Sequence, residues 1–193
     1  MAVNLQKGQK ISLNKEAGSA LTHIVMGLGW DAAKKKSFLG FGGGGQDIDL
    51  DASCLMFDAG GALVDAVWFR QLRSKDGSIE HTGDNRTGDG DGDDEQIKVA
   101  LQSVPAAVKS LVFTVNCFTG QDFSQVANAF CRILDGRNQQ EVASYDLSVQ
   151  GSHNAQIMAK LYRHNDEWKM HAIGENGKGR TFEDLMPQIT PHL

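Results

Sequence analysis

Six carboxylates crowd into residues 83–95, which read Gly-Asp-Asn-Arg-Thr-Gly-Asp-Gly-Asp-Gly-Asp-Asp-Glu. They belong to Asp84, Asp89, Asp91, Asp93, Asp94 and Glu95, and Arg86 is the only cation among them. In an extended backbone, residues two apart stand about 6.6–6.8 Å from each other. At that separation and an effective dielectric of roughly 20, two like charges cost about 2–3 kcal/mol. A fold that gathers this stretch needs a cation to hold it, or must leave it solvated and loose. The donors are all oxygen and glycines are interleaved, which points to a hard cation, Ca²⁺ first and Mg²⁺ second.

A second acidic segment precedes it. Asp47-Ile48-Asp49-Leu50-Asp51 alternates acid and apolar without a break. In a strand this puts Asp47, Asp49 and Asp51 on one face and Ile48 and Leu50 on the other. The plain reading is a solvated edge with the acids facing water. The sharper one is a second half-site for the same cation, and the presence of both segments in one chain favours it. Residues 21–30 read as a buried strand that delivers Asp31 to a loop. The hypothesis is then that Asp31, Asp47, Asp49, Asp51, Asp84, Asp89, Asp91, Asp93, Asp94 and Glu95 supply carboxylates for two adjacent Ca²⁺ ions, with Asn85 and Thr87 adding neutral oxygens. One Ca²⁺ takes roughly six to eight oxygens, so this set exceeds one site. Gly88, Gly90 and Gly92 let the loop curl tightly. Asp94 and Glu95 are neighbours and cannot face one ion from the same side of a strand, so Asp94 is expected to hold Arg86 or a backbone amide. Asp89-x-Asp91-x-Asp93 starts like an EF-hand loop. Its twelfth position falls at Ala100, where a Glu is required, and its flanks read as strands, so that reading is rejected.

The rest of the chain is written in short strands. Residues 3–13 read as two strands around Lys7-Gly8-Gln9. Residues 52–57, 64–69, 96–101, 111–118, 129–134 and 141–147 follow as further strands, and Asp76-Gly77 gives a hairpin signal. Residues 156–164 and 167–173 form a C-terminal hairpin around Asn165-Asp166, and residues 122–128 read as a helical turn. Residues 181–186 read as a short helix stopped by Pro187. About ten short strands, minor helical turns and no long amphipathic helix predict an all-β, two-sheet sandwich, with loop carboxylates gathered at one end. The length of 193 residues and 40% hydrophobic content suit a single domain over 1–193, with a Gly-rich loop at 38–46.

Composition narrows the function classes. A formal charge of -5 argues against nucleic acid as a partner. No charged-then-apolar leader opens the chain, and no apolar run reaches membrane-spanning length, so the expected location is the cytoplasm. Cys54, Cys117 and Cys131 are odd in number, widely spaced and set among apolar residues, which reads as reduced thiols in a core.

Several linked motifs carry a family resemblance. Gly27-Leu28-Gly29-Trp30-Asp31 is followed by Asp47-Ile48-Asp49-Leu50-Asp51-Ala52-Ser53. Then comes His81-Thr82-Gly83-Asp84-Asn85-Arg86-Thr87-Gly88, running into Gly92-Asp93-Asp94-Glu95. The hairpin Leu161-Tyr162-Arg163-His164-Asn165, ending at Trp168-Lys169, completes the pattern. Together these resemble the TerD-domain family of tellurite-resistance and stress proteins over nearly the whole chain, and the insertion at 38–45 resembles the TerZ branch more than TerD itself. The resemblance implies a β-sandwich that binds Ca²⁺ and serves cytoplasmic responses to tellurite and other stresses. It also implies assembly with other Ter proteins near the inner membrane face.

The favoured function is therefore a Ca²⁺-dependent binding or scaffold module, not an enzyme. Two other classes compete with it. Clustered carboxylates also serve metal-dependent phosphoester hydrolysis, and Lys34–Lys36 with Phe38 and Phe41 would suit a Ca²⁺-bridged membrane-surface module. No nucleophile–base set can be picked from the sequence. His81 reads as a structural partner of a carboxylate rather than a base.

Overall fold

The structure is a computed structural model that describes residues 2–32, 49–83, 92–146, 151–165 and 167–193. Asp47, Asp84, Asn85, Asp89 and Asp91 lie outside the described residues, as do the Gly-rich loop at 38–46, Lys34–Lys36, Arg86 and Thr87. Asp31 is described in its backbone only.

Twelve strands appear among the described residues: β1 (Val3–Asn4), β2 (Lys10–Ser12), β3 (His23–Ala32), β4 (Leu50–Asp58), β5 (Leu63–Val67), β6 (Ile79–His81), β7 (Glu95–Ala100), β8 (Val108–Cys117), β9 (Val126–Asp135), β10 (Glu141–Asp146), β11 (Ala155–His164) and β12 (Glu167–Gly177). They form two six-stranded sheets. One runs β1-β10-β9-β3-β7-β6 and the other β2-β12-β11-β8-β4-β5. All pairings are antiparallel except that of β1 with β10. The expected all-β sandwich is the fold.

Side-chain alternation sets the layers. From β3, Ile24, Met26, Leu28 and Trp30 face a core shared with Leu50, Ala52, Cys54 and Met56 of β4 and Leu111, Phe113 and Val115 of β8. The intervening Leu55, Phe57 and Val112 join a second cluster on the outer face of their sheet, under helix α2 (Phe182–Ile189). β4 is thus buried on both faces, which is why its sequence is almost uniformly apolar after Asp51. The three cysteines are free and buried.

Four sequence expectations need correction. Of the helical turn read over residues 122–128, only Phe123–Gln125 is helical, and β9 begins at Val126. Pro187 lies inside α2 rather than ending it. The helix forfeits one backbone hydrogen bond there. It persists because Leu185 and Ile189, both fully buried, anchor it on either side of the proline, and the Thr181–Asp184 capping box fixes its start. Leu13, read as strand, instead opens a five-residue helix, α1 (Leu13–Ala17), capped by Ser12 and closed by Gly18 at φ 68°. Asp31 is not on a loop. β3 continues to Ala32, with a register shift between Gly29 and Asp31.

Candidate metal-binding end of the sandwich

The described parts of the two acidic segments, residues 49–51 and 92–95, lie at the same end of the molecule because β4 and β7 both begin there, in opposite sheets. Glu95 opens β7 and alternates inward with Ile97 and Val99. Its side chain crosses between the sheets, and its Oε2 accepts a 2.7 Å hydrogen bond from the Ala52 N–H of β4. His81, on neighbouring β6, places Nε2 3.3 Å from the same oxygen, and both side chains are fully buried. His81 Nδ1 accepts from the Gly83 N–H at 3.1 Å. Nε2 stands within ion-pair reach of the Glu95 carboxylate without forming a hydrogen bond. His81 is thus a structural partner of a carboxylate, as its place in the sequence suggested.

Asp94 and Asp93 hold the same turn from other sides. Asp94 Oδ2 accepts from the Trp30 N–H at 2.8 Å, and its own N–H donates to the Leu28 carbonyl at 2.8 Å. Asp94 does hold a backbone amide, one of its two expected partners; the other, Arg86, lies outside the described residues. Asp93 Oδ1 takes a 2.8 Å bond from Arg132 Nε, and Oδ2 one of 3.1 Å from Gln96 Nε2. Arg132 also lies over the Phe130 ring and 3.7 Å from Glu141, so one guanidinium serves two carboxylates. The outer face of β3 is cut away to admit these groups. A Cβ on Gly27 would stand 2.2 Å from Asp93 Oδ2, and one on Gly29 would stand 2.5 Å from the Phe130 ring.

Asp49, just before β4, and Asp51, within it, are only 7% and 4% exposed. The solvated-edge reading does not hold for these two. Asp51 is in register with Asn116 of β8, whose side chain donates to the Gly179 carbonyl at 3.2 Å. Among the described residues, no three His, Cys, Asp or Glu side chains stand close enough together to hold a metal ion.

Sequence reasoning missed Arg132, Gln96 and the amides of Trp30 and Ala52. Only Arg132 left a signal, as a lone cation within the otherwise apolar residues 129–134. The amides carry no sequence signal, because every residue but proline has one.

The sequence matches the TerD domain over residues 1–188. The chain belongs to the TerD-domain family. Tellurium resistance protein TerZ of Serratia marcescens is 48% identical over 188 residues, covering 97% of this chain and 96% of the relative. TerD of the same organism is 43% identical and covers 93% of each chain, so the family member leans toward TerZ as its sequence implied. Stress response protein SCP2 of Bacillus subtilis is 41% identical, covering 96% of this chain and 98% of the relative. The crystal structure of a homologue of telluride resistance protein (TerD) from Streptomyces coelicolor A3(2) superposes with a TM-score of 0.68. It covers 83% of this TerD-family chain and 92% of that one, and at 20% identity it speaks to the fold alone.

Proposed function

We propose that this TerD-family protein serves tellurium resistance and stress response as a Ca²⁺-dependent binding or scaffold module, its ions held at the end of the sandwich where β4 and β7 begin. The observation that carries the reading is the Glu95–Ala52 hydrogen bond. It fixes the exit of one acidic segment against the strand that bears Asp51 and that Asp49 directly precedes. Those two carboxylates are buried, and burial of carboxylates is costly unless donors or cations surround them.

The donor set fits a hard cation because every group in it is an oxygen ligand. Asp49 and Asp51 would hold the ions together with Asp31, Asp47, Asp84, Asn85, Asp89 and Asp91. Asp93, Asp94 and Glu95, already engaged by Arg132, Trp30 and Ala52, pin the segment in place. Bound Ca²⁺ supplies positive charge between groups that otherwise repel. It adds RT ln(1 + [Ca²⁺]/Kd) to stability, about 2.7 kcal/mol at a hundredfold excess over Kd. The stiffened loops then present a partner surface only when Ca²⁺ is at hand. Other Ter proteins gathered at the inner membrane face are the partners in this reading, and the cytoplasm its location. No helix among the described residues is long and apolar enough to cross a membrane.

Calorimetric titration of Ca²⁺ into chelator-treated protein is the test. Saturable heat, a rise in Tm and loss of both in Asp49→Asn and Asp51→Asn are expected. Absence of heat, with an unmoved Tm, ends the reading.

A further inference from the structure

The outer face of the second sheet carries a feature the Ca²⁺ reading does not use. Leu55, Val112, Lys160, His171 and Lys10 stand directly opposite one another on five successive strands, β4, β8, β11, β12 and β2. Their inward neighbours Met56, Leu111, Leu161, Met170 and Ile11 fill the core between the sheets. The apolar half of the row, Leu55 and Val112, is covered by Phe182, Leu185 and Ile189 of α2. The other half is three basic side chains in adjacent places, with strands about 4.8 Å apart. Like charges directly opposite on a sheet destabilise it, and the chain as a whole is acidic.

Among the described residues, no carboxylate oxygen lies within ion-pair distance of Lys10, Lys160 or His171. The nearby acids are engaged elsewhere. Glu175 binds His192 at 2.8 Å, and Glu167 takes a bond from Ser12 and faces Lys169. Lys160 Nζ donates to the His192 carbonyl and stands 5.4 Å from the Tyr162 ring. Burial, and then the Lys10 charge, holds the Lys160 pKa below the usual lysine range. Burial, followed by the charges of Lys10, Lys160 and His192, does the same to His171. An arriving anion would relieve this crowding.

We propose that Lys10, Lys160 and His171 form a binding site for a phosphate-class oxyanion on the outer face of the second sheet. Two ammonium groups and an imidazole in one line offer several donors to one compact, multiply charged group. The ligand is a soluble phosphate compound or the phosphate of a lipid headgroup, since both present the same chemistry.

The test uses the full chain in EDTA, so that Ca²⁺ binding plays no part in it. Inorganic phosphate is titrated calorimetrically into the wild type and into Lys10→Gln, Lys160→Gln and Lys98→Gln. Lys98 is an exposed lysine on the opposite sheet. Saturable binding is expected, weakened about fivefold by each of the first two substitutions and unchanged by the third. Lys160→Gln also removes the bond to His192, whereas Lys10 is exposed on an edge strand, so the Lys10 variant separates loss of binding from loss of fold. Co-sedimentation with vesicles of phosphatidylcholine and phosphatidic acid, against phosphatidylcholine alone, is run in parallel. Vesicle binding lost in Lys10→Gln identifies the lipid source. Phosphate binding without vesicle binding identifies a soluble one. No saturable binding in either arm, or equal weakening by Lys98→Gln, overturns the proposal.

Discussion

Glu95 Oε2 lies 2.7 Å from the amide nitrogen of Ala52, and this hydrogen bond joins the first residue of β7 in one sheet to β4 in the other. It is buried, with the His81 ring on its other side. Glu95→Ala leaves the Ala52 N–H and the His81 ring without their carboxylate. A loss of about 3 kcal/mol in urea unfolding is expected. The loss is expected to be larger with Ca²⁺ present than in EDTA, because the same bond anchors the acidic segment. Equal losses in the two conditions would separate Glu95 from the metal reading.

Gly27 is required by Asp93 rather than by backbone conformation. Its Cβ would overlap the Asp93 carboxylate, so Gly27→Ala must push Asp93 away from Arg132 and Gln96. A destabilisation of about 1–3 kcal/mol is expected, together with weaker Ca²⁺ binding in calorimetry. Wild-type stability and affinity in this variant would show that the Asp93–Arg132 contact does not position the segment.

Asp135 supplies a pH dependence remote from the acidic end. Hydrogen bonds from the Arg137 guanidinium, helped by the Arg137 N–H and its charge against the effect of burial, hold its carboxyl below the usual range. A depressed carboxylate stabilises the fold above its unfolded pKa, near 4, and that contribution is lost as pH falls through the folded value. Asp135→Asn is therefore expected to cost about 1 kcal/mol near neutral pH, a modest figure because Arg137 is half exposed. The gap between wild type and variant should close in urea melts taken progressively below the unfolded pKa. A gap that stays constant with pH would contradict the assignment.

The buried thiols are expected to be inert. Burial pushes Cys131 up to about 12 and Cys54 higher still, so little thiolate exists in the folded state. Mass spectrometry after iodoacetamide treatment near neutral pH should find both unmodified, and both modified once urea unfolds the chain. Rapid native labelling would require an opening of β4 or β9 that the packing does not suggest.

Much of this fold was legible in the residue pattern. Alternation over 96–101 and 141–147 and the apolar run 111–118 overlap β7, β10 and β8 over most of their described residues, and Asn165 turns at φ 49° where the C-terminal hairpin was expected. The helices were less legible. Ser12 reads equally as a strand residue or a cap, and only the packing of Leu13 decides between them. A proline normally stops a helix, yet at Pro187 the burial of Ile189 outweighs one missing hydrogen bond.

By itself the amino-acid order determined a two-sheet all-β chain and its family, and it marked the two acidic segments, because strand periodicity and motif spacing are local properties. Only the tertiary structure decided that Glu95 reaches Ala52, that Arg132 answers Asp93, and that Lys10, His171 and Lys160 share one row. Those pairings join residues far apart along the chain, and cross-strand register and sheet packing, not local spacing, bring them together.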